Sequence, residues 1–112
     1  MAKVKQIPKQ LLIHSIKYEH YLGNDGWDDE WDDAITINNV RVEPVSQLNR
    51  SSDAEGTQAN HVVIVDKKHS SAFPDFAIKS RITFNGDPRE VVDVNPFYAF
   101  DSEPHHYELE VR

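Results

Sequence analysis

Cysteine is missing altogether, which removes disulfide frameworks, thiolate nucleophiles and cysteine-bearing zinc sites from consideration and fits a reducing compartment. Glycine is scarce, at four residues in 112, and no glycine-rich phosphate cradle can be assembled from them. No apolar run approaches the roughly 20 residues of a membrane-spanning helix, and Met-Ala-Lys-Val-Lys-Gln-Ile-Pro lacks the apolar centre of a signal peptide. The expectation is a protein made and assembled in the cytosol. Positive charge is also short. A formal charge of −7 disfavours sequence-independent gripping of nucleic acid phosphates.

What is present is a lean but aromatic chain. Hydrophobic residues are 38%, with five Phe, four Tyr and two Trp to supply burial. The length suits a single domain spanning 1–112 with one core. Charge is divided along it. Residues 1–18 hold Lys3, Lys5, Lys9 and Lys17 with no acid, whereas Asp25 to Asp33 holds six acids and no base. Opposite edges on one small domain suit head-to-tail contact between copies. Lys3, Lys5 and Lys9, in a flexible N-terminal arm over 1–9, are candidate interface residues, with Trp27, Asp28, Asp29 and Trp31 as their acidic and aromatic counterpart.

Alternation dominates the pattern. Leu12, Ile16 and Tyr18 share one parity against Lys17 and Glu19, which predicts a strand over 11–21 beginning after Pro8, followed by a turn at 22–26. Trp27 and Trp31 are four apart and would share a face of a short helical turn around 26–33. Residues 34–45 alternate again, but parity slips at Asn38-Asn39, which predicts either a bulge or a turn between two short strands. His61 to Val65 reads as a buried strand, and Phe73 and Phe76 would anchor the connection over 66–77. Strands over 78–84 and 89–94 flank Asn85-Gly86-Asp87-Pro88, the strongest hairpin signal in the chain, and Asn95-Pro96 should end the second. Tyr107, Leu109 and Val111 alternate with Glu108, Glu110 and Arg112 in a final one-sided strand. The expected fold is all-β: a small antiparallel β-barrel or sandwich of about six or seven short strands with a long inserted loop. Ile16, Ile37, Val63, Val92, Leu109 and Val111 are its expected core.

The inserted loop is the polar stretch 46–60, whose one large apolar residue is Leu48. A connection of that length without structure of its own is usually functional or disordered. The chemical candidates are weak beside it. The acidic run misses the ligand spacing of a calcium loop, because Trp stands where carboxylates should. On a strand His106 and Glu108 share a face while His105 points away, with no third metal ligand evident. Ser51-Ser52 and Ser70-Ser71 lack the glycine-flanked turn that presents a nucleophile. Neither enzyme, cofactor nor metal is expected. An oligonucleotide-binding barrel has the right size but would need a basic groove.

Three segments then carry a resemblance: the opening Ile-Pro-Lys-Gln-Leu-Leu-Ile-His-Ser (7–15), Ile-Thr-Phe-Asn-Gly (82–86) and the closing His-His-Tyr-Glu-Leu-Glu (105–110). Together with its length, they make the chain resemble the small minor capsid proteins of tailed phages and prophages of Gram-positive bacteria, among them head-completion (head-closure, stopper) proteins of the connector. The resemblance implies a virion subunit, in the host cytoplasm before assembly, that forms a homo-oligomeric ring below the portal. Its partners would be further copies, the portal or adaptor protein and the tail-completion protein, with DNA met only as channel content and no membrane involved. It also implies a loop from each subunit that plugs the channel, here Gln47, Leu48, Asn49, Arg50, Ser51, Ser52, Asp53, Ala54, Glu55, Gly56 and Thr57. The contrasting expectation is a stand-alone β domain that binds a carbohydrate or other small ligand through Trp27, Trp31 and the acidic loop.

Overall fold

The structure is a computed structural model and describes residues 8–44, 60–98, 102 and 104–112. The loop residues 47–57, together with Lys3 and Lys5, therefore lie outside the described residues. Among the described residues a 3₁₀ turn at Lys9–Leu11 leads to eight strands: β1 (His14–Glu19), β2 (Tyr21–Asn24), β3 (Asp29–Trp31), β4 (Ile35–Pro44), β5 (His61–Asp66), β6 (Arg81–Phe84), β7 (Asp87–Tyr98) and β8 (Pro104–Val111). Six of them close into an antiparallel barrel in the order β1-β4-β5-β8-β7-β6, and β2-β3 form a separate two-stranded sheet. The choice between barrel and sandwich is settled by β1, which pairs β4 on one side and β6 on the other. Closure leaves the six strands without a free sheet edge along their paired lengths.

The core lies inside this barrel, filled from the inward face of each strand. Ile16, Tyr18, Ile37, Val40, Val42, Val63, Val65, Ile82, Val91, Leu109 and Val111 are buried. Five of the six expected core residues are among them. Val92 is the exception: it is half-buried, and its neighbour Val91 takes the inward place. The pairing with β8 steps from Val91–Val111 to Asp93–Glu110, so a bulge around Val92 inverts the parity of the strand. Phe76 is buried and Phe73 packs against the cluster, as aromatic anchors of the 66–77 connection should.

Asn39 resolves the slip in β4. It adopts φ 59° and is skipped in the pairing, since His14 faces Val40 and Ser15 faces Asn38. The strand is therefore continuous and bulged, with Ile37 and Val40 both inward. The 66–71 connection fastens this bulge. Asp66, 1% exposed, accepts the amides of Lys68 and His69 at 3.0 and 2.8 Å. Ser70 Oγ accepts the Asp66 amide and donates to the Asn39 carbonyl, and Ser71 Oγ accepts the Asn38 amide. A buried carboxylate is tolerated here because backbone donors satisfy it.

Five local expectations are corrected. Residues 22–24, expected in a turn, are instead part of β2, and the turn follows at 25–28. Residues 11–13 are not part of the first strand, which begins at His14 after the 3₁₀ turn. Residues 26–33 contain no helical turn; β3 occupies Asp29–Trp31, because pairing with β2 satisfies those backbone groups better than one isolated turn would. The strand expected from 78 begins at Arg81, since Lys79 takes φ 69° and turns the chain. Pro96 does not end β7. It sits opposite Tyr107, beyond the stretch of β7 paired with β6, where its missing N–H costs no ladder bond on the open side. The Asn85-Gly86 turn is as expected: both residues have positive φ (52° and 82°), as a two-residue hairpin turn with matching twist requires.

Candidate docking surface

Beyond the end of β1 the chain leaves the barrel as the β2–β3 hairpin. Its base is aromatic. Tyr21 and Trp31 are register partners with rings edge-to-face at 5.8 Å, and Trp31 Nε1 donates to the Lys79 carbonyl at 2.8 Å. The Arg81 guanidinium lies over the Trp31 ring at 4.1 Å and Lys79 Nζ over Tyr21 at 5.6 Å. Underneath, the Tyr18 hydroxyl donates to Ser80 Oγ, contacts His20 Nδ1 and accepts the Ala77 amide. Burial, the largest influence, pushes the Tyr18 phenol above its ordinary pKa. Ser80 is fully buried, and its oxygen also accepts the Tyr21 amide, so this hydroxyl serves to hold the hairpin root.

The tip is ordered by short side-chain caps. Asp25 Oδ1 accepts the amides of Trp27 and Asp28 at 2.8 and 2.9 Å, and the Asp25 amide donates to the Asp28 carbonyl. Gly26 has φ 101°, a conformation that strains any residue with a Cβ, and its amide donates to Asn24 Oδ1. Asp29 Oδ1 accepts from Asn24 Nδ2 and Tyr21 Oη. Those donors hold the carboxyls of Asp25 and Asp29 below their usual range, Asp28 and Trp27 amides leading for Asp25 and Asn24 for Asp29. In turn, the bond to Asp29 raises the Tyr21 phenol. On this frame Trp27 stands 91% exposed among Asp25, Asp28 and Glu30.

Of the sequence candidates, Trp27, Asp28, Asp29 and Trp31 thus share one hairpin, while Lys9 lies in the 3₁₀ turn before β1. The contrasting small-ligand reading gains no support, because Trp31 is engaged by Tyr21 and Arg81 whereas Trp27 projects alone at the tip. A shallow groove of about 360 Å³ beside the hairpin is lined by Trp31, Lys79, Arg81, Arg89, Asp29 and Glu90. Sequence reasoning missed it, since Lys79, Arg81 and Arg89 look like scattered surface cations until β6 and β7 pair. Its charge is mixed, and Arg81 is already paired with Glu19 at 3.5 Å.

The histidine pair departs from expectation. His106 Nε2 is 3.3 Å from Glu108 Oε2, as residues on one face should be, but His105 Nδ1 also reaches His106 Nδ1 at 2.9 Å. The register shift at Phe97/Tyr98 accompanies this, and the Phe97 ring stacks flat on His106 at 4.8 Å. No group of three or more His, Asp or Glu able to hold a metal occurs among the described residues.

No curated protein matches the sequence. Matching at the level of a family does identify it. The described barrel and hairpin fall within residues 8–111, which match the family described as minor capsid protein, and over that near-complete span the chain belongs to the minor capsid protein family.

Proposed function

We propose that this structural phage protein is a head–tail connector subunit that forms a ring below the portal, closes the DNA channel and receives the tail. Membership of the minor capsid protein family over residues 8–111 is the observation that carries the reading, since it makes the chain a virion component. Two features of the fold favour a connector position. Pro44 and His61 are direct register partners, so the 45–60 stretch joins two strand ends that a handful of residues would connect. The excess length has no use in joining β4 to β5, and a role outside the barrel accounts for it. The second feature is charge. A subunit with net charge −7 lets DNA pass or rest without gripping its phosphates.

The experiment is an asymmetric reconstruction of virions carrying a tagged copy, together with a variant whose residues 47–59 are replaced by a few Gly and Ser. The tag is expected at the portal vertex. The shortened protein should fold with a nearly unchanged melting temperature, because loop-closure entropy varies slowly with length, and its packaged heads should leak DNA. A tag distributed over the capsid shell would overturn the connector reading. Sealed heads with the shortened loop would remove the plug role alone.

A further inference from the structure

Two exposed apolar features flank β1 along the chain, one just before its start and one at the tip of the hairpin that follows it. At the far end of the hairpin, Trp27 is 91% exposed and flanked by Asp25, Asp28 and Glu30. Before the start of β1, Leu11 and Ile13 are 46% and 67% exposed. Ile13 shares the outward parity of Ser15 and Lys17, while Leu12, Ile16 and Tyr18 face inward. Lys9 stands in the preceding turn, and Arg41 donates to the Leu11 carbonyl while pairing with Glu43. β1 itself spans about 20 Å at the usual rise per residue. The aromatic tip thus stands among carboxylates, whereas the aliphatic patch lies next to Lys9 and the Arg41–Glu43 pair.

We propose that the Trp27 tip of one copy docks on the Leu11–Ile13 patch of a second copy, with Asp28 facing Lys9. The inference rests on the ring reading and supplies its copy-to-copy contact. Like charge around two tips disfavours a two-fold contact between hairpins. Joining unlike patches gives a head-to-tail interface, which closes into a ring when the rotation allows. The capped turn matters here. Asp25 and Gly26 fix the backbone beneath Trp27 before contact, so little ordering entropy is lost when the indole is buried.

The test uses the absence of cysteine. Virions are assembled with a mixture of Asp28→Cys and Lys9→Cys proteins and then oxidised. The expected product is the mixed disulfide, exceeding either homodimer, and adding Trp27→Ala to the Asp28→Cys chain should reduce it about tenfold or more. Predominant Asp28→Cys homodimers, or no mixed product in particles that contain both variants, would overturn the contact. The portal-vertex tag reads the connector position separately: a tag at the vertex without mixed linkage removes this inference and leaves the connector. Absence of both proteins from the particles removes both.

Discussion

Asp25 Oδ1 receives the Trp27 amide at 2.8 Å, so the most exposed aromatic of the described residues sits on a turn fastened by a carboxylate. The carboxyl is held below its ordinary value of 3.8 by that amide and, more strongly, by that of Asp28. A depressed carboxyl stabilises the turn fully above its unfolded value and loses that effect as pH falls through the lower folded value. Acidification through that lowered value, which lies below 3.8, should therefore release the Trp27 and Asp28 amides to solvent exchange. Asp25→Ala should do so at neutral pH without lowering the melting temperature of the barrel. Unchanged exchange at these two amides in Asp25→Ala would show that the cap does not order the turn.

Val91 and Val92 should respond in the opposite order from that expected of simple alternation. Val91 is fully buried, and Val91→Ala should cost about 1.5–3 kcal/mol, against under ~1 kcal/mol for Val92→Ala. Urea unfolding of the two variants would read the difference directly. Equal losses would place the bulge elsewhere in β7.

Leu109 lies at 0% exposure between β5 and β7. Leu109→Ala should destabilise by about 2–5 kcal/mol through lost burial and the cavity left behind. A loss under ~0.5 kcal/mol in the same unfolding measurement would mean that β8 is not integral to the core.

Asp66 is buried and accepts two loop amides. Asp66→Ala leaves those amides with no carboxylate and should cost about 1–3 kcal/mol. The Asn39 bulge should loosen with it, because Ser70 joins the two. Hydrogen exchange at Asn38 and Ser71 would report this, and protection retained at both would separate the bulge from the loop.

His61 has a buried Nδ1 with no hydrogen-bond partner among the described residues. Burial, then the nearby Arg89 charge, pushes its imidazole below the ordinary histidine value. The folded state therefore binds a proton more weakly than the unfolded chain. Stability is greatest above the unfolded value of about 6.5 and should decline as pH falls below it. His61→Gln should flatten that part of the pH dependence in denaturant titrations. An unchanged slope would assign it to other histidines.

The sequence alone determined the six barrel strands in outline, the Asn85-Gly86 hairpin, the parity slip at Asn38-Asn39 and five of the six core positions, because alternation and positive-φ turn residues are local properties of the chain. It also pointed to Trp27, Asp28, Asp29 and Trp31 through the acidic run that contains them. Closure of the barrel, the persistence of β7 through Pro96 and the inward turn of Val91 were decided only by pairing with strands distant in sequence. The hairpin shows why. Read locally, Trp27 and Trp31 share a helical face; paired with β2, the same residues become a capped tip and an Arg81-covered base. Local spacing records what one segment can do by itself, whereas a strand's register, its bulges and the exposure of its side chains depend on hydrogen-bond partners that only the folded chain brings beside it.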